Sequence, residues 1–83
     1  MKQGEIVEKV VTYLVNEIVD DPESVKVEIV SDGDDSVVAK VRTAKSDMGR
    51  VIGRRGRVAR AIRSVASIAG EEEGLSVDVE FLD

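Results

Sequence analysis

The chain has 83 residues, no cysteine and no histidine, 12 Lys/Arg against 17 Asp/Glu, and a formal net charge of −5 at pH 7. This length predicts one domain with a small core, because so short a chain buries only about 60–65% of the surface its unfolded form exposes. Without thiols or imidazoles, disulfides, thiolate catalysis and the usual zinc ligand sets are excluded, so no metal and no cofactor is expected.

The opening MKQGEIVEKVV carries acids throughout and has no continuous apolar run, unlike a secretory leader. No apolar stretch approaches the roughly 20 residues that span a bilayer. A soluble, cytoplasmic protein with no membrane partner is the expectation. The mean charge hides a partition. Lys40 to Arg63 holds nine Lys/Arg and one acid, Asp47, for a local charge of +8, and the other 59 residues carry −13. An anionic ligand is attracted to that one segment and repelled elsewhere.

Residues from about Gln3 to Val19 predict a helix. Ile6, Val7, Val10, Val11, Leu14 and Ile18 recur at spacings of three and four, and Val15 and Val19 widen the stripe. The stripe is core, and its width also leaves room for a dimer contact. Asp20-Asp21-Pro22 stops the helix, since the residue before proline is forced out of helical angles. Val25, Val27 and Ile29 alternate with polar residues and predict a strand. SDGDDS (31–36) predicts a turn; it lacks the glutamate that an EF-hand calcium loop places at its twelfth position. Val37, Ala39 and Val41 begin a second alternation, completing a hairpin.

Met48 to Ile52 predicts a short helix, started by Ser46 or Asp47 as cap and ended by Gly53. A further helix runs from Gly56 or Arg57 to about Ala69. Its expected buried stripe is Val58, Ala61, Ile62, Val65 and Ala69, with Arg57, Arg60 and Arg63 on the far, solvated side. GEEEG (70–74) predicts an acidic loop, and Leu75, Val77, Val79 and Phe81 alternate as the last strand. The order is α-β-β-α-α-β. A helical crossover of about thirty residues joins parallel neighbours. The fold class is therefore α+β: a three-stranded mixed sheet with three helices on one face. The other face, bearing Lys26, Glu28, Lys40, Arg42, Asp78 and Glu80, is expected to be wet.

The stretch MGRVIGRRGRVARAI (48–62) concentrates three glycines and five arginines. Two helices meet across Gly53-Arg54-Arg55-Gly56. Glycines permit unusual backbone angles and close approach, and the start of the next helix offers unpaired N–H groups and a positive dipole end. Such a site binds phosphate oxygens, and Arg54 and Arg55 add charge. The spacing does not fit a nucleoside-triphosphate loop, which needs four residues between its glycines and then Lys-Ser/Thr. On spacing alone the four residues also fit a plain helix–helix turn.

VIGRRGRVARAI resembles the KH-domain signature, with Val51, Ile52, Gly53, Gly56, Val58 and Ile62 in its places. The element order matches the type II form. Asp-Met-Gly-Arg-Val-Ile-Gly before the loop, in a chain this short, is similar to the KhpA (YlqC) family of small bacterial single-KH RNA-binding proteins. The resemblance implies a non-catalytic module that clamps about four unpaired nucleotides of single-stranded RNA. Gly53, Arg54, Arg55 and Gly56 would hold phosphate. Gly49, Arg50 and Ile52, with Arg57, Val58 and Arg60, would line the path; Ile52 and Val58 fit the core equally well. It further implies an RNA chaperone or regulator linked to cell division and envelope growth, acting as a homodimer or with a Jag/KhpB-type KH protein. The acidic 70–74 segment would border the groove and oppose phosphate there. An aliphatic groove suits a chain whose only aromatics are Tyr13 and Phe81. Two other classes stand beside this one: a KH-fold protein-interaction module with little RNA binding, and an enzyme. The latter lacks any nucleophile–base pair, and Asp47 is accounted for as a helix cap. No small-molecule substrate is indicated.

Overall fold

The computed structural model describes residues 3–82. In chain order it contains α1 (Glu5–Ile18), β1 (Lys26–Ser31), β2 (Ser36–Arg42), α2 (Lys45–Ile52), α3 (Arg57–Glu72) and β3 (Ser76–Leu82). Short 3-10 turns occupy Pro22–Ser24 and Arg54–Gly56. β1 and β2 pair antiparallel, with Lys26 opposite Arg42 and Ser31 opposite Val37. β3 joins β2 in parallel, with Ser36 opposite Ser76 and Arg42 opposite Leu82. The strand order β1-β2-β3 is the mixed sheet expected from a hairpin followed by a helical crossover.

The helices cover the sheet face that carries Val37, Ala39, Val41 and Val79, all buried. Val7, Val11 and Val15 of α1, Val51 of α2 and Ile62, Ala66 and Ala69 of α3 complete the core. On the opposite face Lys26, Glu28, Arg42, Asp78 and Glu80 are exposed. There Lys40 lies in register between Glu28 and Glu80, an alternation of charge across three strands, while Lys26 faces Arg42.

Three details of the helices differ from the sequence reading. First, α2 starts at Lys45 with Ala44 at its cap position, and neither Ser46 nor Asp47 caps it. Second, α3 runs beyond Ala69 and Gly70 to Glu72. Gly70 is a packing residue: a β-carbon there would run into the Val77 side chain and lie 2.8 Å from the Leu75 carbonyl oxygen. The helix is closed instead at Gly74, whose N–H reaches the Glu71 carbonyl while the Leu75 N–H reaches that of Gly70. This is the paired hydrogen-bond pattern of a Schellman end. Third, α3 is rotated about its axis. Ala59, Ile62, Ala66, Ala69 and Gly70 are buried, whereas Ala61 and Val65 are exposed and Val58 is half-buried. α3 lies directly on α1, and the close approach selects small residues at the contact.

The acidic segment also departs from expectation. Glu71 and Glu72 form the last helical turn, and Glu73 is engaged: its carboxylate accepts hydrogen bonds from the N–H groups of Gly4, Ile6 and Val7 at 3.0, 3.0 and 3.1 Å. Those are orphan donors at the start of α1, which has no side-chain cap of its own at Gly4. The segment lies at the far end of α3 from the Gly53–Gly56 loop, about 24 Å away along a 16-residue helix. Asp34 and Asp35 of the hairpin turn lie beside it, lining one depression with Glu72 and Glu73. Four acids, Asp34, Asp35, Glu72 and Glu73, therefore gather at the end of α3 that is farther from the glycine-arginine loop.

Candidate nucleic-acid interface

The loop between α2 and α3 is fixed by backbone geometry. The Gly53 N–H closes α2 on the Gly49 carbonyl at 2.9 Å, and the Gly56 N–H bonds the Gly53 carbonyl at 3.0 Å. Gly53 has φ 79° and ψ 168°, a conformation open essentially to glycine alone. A β-carbon there would also lie 2.9 Å from the Val58 backbone nitrogen. Gly56 is left-handed at φ 72°, yet a β-carbon on it would meet nothing within 4 Å. The two glycines thus do different work: Gly53 lets α3 pack close, and Gly56 turns the chain while leaving its outer side open. Arg55 between them is also left-handed, at φ 57° and ψ 24°. That conformation costs a non-glycine residue roughly 1–2 kcal/mol, and among the described residues no hydrogen bond or ion pair of its side chain offsets it.

α3 then begins without a side-chain cap and with no acid in its first turn. Arg54, Arg55, Arg57 and Arg60 are exposed there. Cations at a helix start oppose the macrodipole and weaken the fold. Among the described residues none of the four has a carboxylate partner, and the ion pairs are Lys9–Glu5 and Arg50–Asp20. The Gly56 and Arg57 N–H groups are held by the Gly53 and Arg54 carbonyls, so the positive character of the site comes from the helix dipole and from guanidinium groups without a carboxylate partner among the described residues.

The remaining sequence-predicted residues fall into three groups. Gly49 sits in the middle of α2, exposed, with open space where a β-carbon would be. Nothing in the fold calls for glycine at that position. Val58 packs against the core, and Ile52 is half-buried outside it. Arg50 is turned from the loop toward the end of α1, where its Nη1 lies 2.8 Å from Asp20 Oδ1.

Asp47 is not the helix cap that its position suggested. It is buried, and its two carboxylate oxygens accept the N–H groups of Asp20 and Asp21, each at 3.1 Å. Asp47 and Arg50, one turn apart on α2, therefore hold the end of α1 and the turn after it, one through the backbone and one through a side chain. Arg63 departs as well. It is not free on a solvated helix face: its Nε donates to the Val79 carbonyl at 3.3 Å and its guanidinium lies over the Phe81 ring, 5.3 Å from the centroid. From the middle of α3 it reaches the outer edge of β3. The only sequence signals for these contacts were the spacing of Asp47 and Arg50 and the Asp20-Asp21-Pro22 helix stop.

The family model for the KhpA/KhpB KH domain matches residues 8–81. The chain belongs to the KhpA/KhpB family of KH domains. Curated relatives agree along nearly the full length. The RNA-binding protein KhpA of Borreliella burgdorferi is 35% identical over 75 residues, covering 90% of each chain. That of Clostridium perfringens is 38% identical over 74 residues, covering 89% of this chain and 97% of its own. That of Bacillus subtilis is 34% identical over 76 residues, covering 92% and 93%. The α-β-β-α-α-β order and the mixed sheet are those of the type II KH fold that the sequence resembled, with the loop between α2 and α3 in the place of the KH glycine loop. Among the described residues no helix is long and apolar enough to cross a membrane.

Proposed function

We propose that the chain is a non-catalytic RNA-binding module that grips the backbone of about four unpaired nucleotides with Gly53-Arg54-Arg55-Gly56. The observation that carries this reading is the start of α3, without a side-chain cap and crowded with exposed arginines that have no carboxylate partner among the described residues, beside the open side of Gly56. Such an arrangement weakens the fold and is accounted for by an anion that docks on it. The names of the relatives, RNA-binding proteins, support the choice of anion. Arg57 and Arg60 extend the positive path along α3, and Gly49 leaves room for the strand to approach α2.

The test is the double variant Arg54→Asp, Arg55→Asp. Both residues are exposed, so the thermal midpoint should stay near wild type while affinity for single-stranded RNA falls at least about tenfold, or ~1.4 kcal/mol. Binding that survives in a folded double variant would sink the clamp. In the wild type, three neutralised phosphates give a log–log salt slope of about −2.

Gly49→Ala separates site from scaffold. A glycine inside an exposed helix costs about 0.5–1 kcal/mol relative to alanine, so this variant should melt a few degrees higher. Its RNA affinity should fall, because the new methyl group stands in the strand's path. A rise in both quantities would remove Gly49 from the interface.

A single four-nucleotide site is weak, and useful affinity calls for a second one. Ala61, Val65 and Ile68 form an exposed apolar stripe at i, i+4 and i+7 on α3. That stripe supports pairing with a second KH module, either another copy or a KhpB-type partner. It is also the observation that favours the second reading, a KH-fold module used mainly for protein contact.

A further inference from the structure

Among the arginines of the 48–62 stretch, Arg50 alone holds a carboxylate among the described residues. Its partner, Asp20, is 30 residues away in sequence and sits just beyond the end of α1. The position of Asp20 is not left to chance. Asp47, buried on α2, accepts the backbone N–H groups of both Asp20 and Asp21, which fixes the turn. The neighbouring Asp21 carboxylate is occupied by the Ser24 hydroxyl at 2.7 Å, leaving Asp20 as the acid presented to Arg50. Both partners are solvent-exposed, at 55% for Arg50 and 77% for Asp20. An exposed pair of this kind is worth little, so a phosphate oxygen can replace the carboxylate at small net cost.

We propose that Asp20 is a built-in competitor for the RNA backbone: its carboxylate occupies Arg50 in the free protein and yields it to a phosphate when RNA docks. The proposal rests on the reading of Gly53–Gly56 as an RNA clamp and adds a control on it. Arg50 lies one helical turn before Gly53, so a strand gripped by the loop passes within reach of a released Arg50 side chain. The carboxylate screens Arg50 from polyanions that do not also engage the loop. Asp20 is thus an affinity-setting residue that need not touch the ligand.

The experiment is Asp20→Asn in the full chain, which keeps the backbone N–H that bonds Asp47 and removes only the charge. The probe is a short mixed-sequence single-stranded RNA, followed by fluorescence anisotropy across a salt series. The variant should bind about threefold more tightly at low salt, the equivalent of one exposed ion pair. Its log–log salt slope should be steeper by about 0.7, one added phosphate contact. In an Arg50→Gln background the same substitution should change neither quantity. Unchanged or weaker binding by a folded Asp20→Asn protein overturns the proposal. So does an equal gain in the Arg50→Gln background, which would make Asp20 a diffuse repulsive charge rather than a competitor. Asp20→Ser serves as a second variant and should behave alike. The clamp is judged separately: if Arg54→Asp, Arg55→Asp abolishes binding while Asp20→Asn does nothing, the clamp stands and the competition falls. If the double variant binds as wild type, the clamp itself fails, and the competition with it.

Discussion

Asp47→Ala should lower the stability of the domain by about 3 kcal/mol. The Asp47 carboxylate is buried and accepts two backbone N–H groups from the end of α1. A hydrogen bond to a charged group contributes about 1.5–3 kcal/mol, and removing the acceptor leaves both donors without a partner. In a chain of this size total stability is only about 4–12 kcal/mol, so the loss is a large fraction of it. At about 4–8 °C per kcal/mol, the thermal midpoint should drop by at least about 12 °C, measured by circular dichroism. Asp47→Asn decides between packing and hydrogen bonding. It preserves volume but turns a donor toward one of the two N–H groups, and it should cost nearly as much. An asparagine variant within about 1 kcal/mol of wild type would show that the carboxylate merely fills space.

Gly53→Ala should be the second large effect, on the scale of 3 kcal/mol, with Gly56→Ala as its control. Both glycines have positive φ, but their surroundings differ. At Gly53 the new β-carbon meets the backbone nitrogen and side chain of Val58, and the φ/ψ pair lies where only glycine is found. Relief requires α3 to move away from α2, since the obstacle is backbone and not the tip of a flexible side chain. At Gly56 the left-handed penalty of about 1–2 kcal/mol acts alone, because nothing lies within 4 Å. Denaturant unfolding should therefore rank Gly53→Ala well below Gly56→Ala. Val58→Ala in the Gly53→Ala background removes the side-chain obstacle but not the nitrogen, so rescue should be partial. Equal costs at the two glycines would mean that the inter-helix contact at Val58 contributes nothing.

The strands and their order could be read from the sequence because alternation of Val with Lys, Glu and Asp has a single structural solution in a one-faced sheet. The length of the crossover then required a parallel pair. The rotation of α3 could not be read in the same way. Val58, Ala59, Ala61, Ile62, Val65, Ala66, Ile68 and Ala69 surround most of the helix, and only Arg57, Arg60 and Arg63 marked an outside. The helical spacing from Val58 selected Ala61 and Val65, whereas the structure buries Ala59 and Ala66. The loop was legible as a place, through VIGRRG, since glycine and arginine serve backbone geometry and charge locally. The partners of Asp47, Glu73, Arg50 and Arg63 were not. Each reaches across the fold, three of them to main-chain groups 16 to 69 residues away, and such groups look alike from every position in a sequence.

Asp34, Asp35, Glu72 and Glu73 at one end of α3, with Arg54, Arg55, Arg57 and Arg60 at the other, give that helix and its surroundings a permanent electrical direction. In the field of a polyanion such a body feels a torque before it makes any contact. It turns its arginine end forward, and collisions led by the acidic end separate. Screening confines this orienting force to about 8 Å at physiological ionic strength, so it acts in the last moments of approach. Glu73, by capping α1 from the far end of α3, thus joins holding the helices together with choosing which way the molecule faces when it arrives.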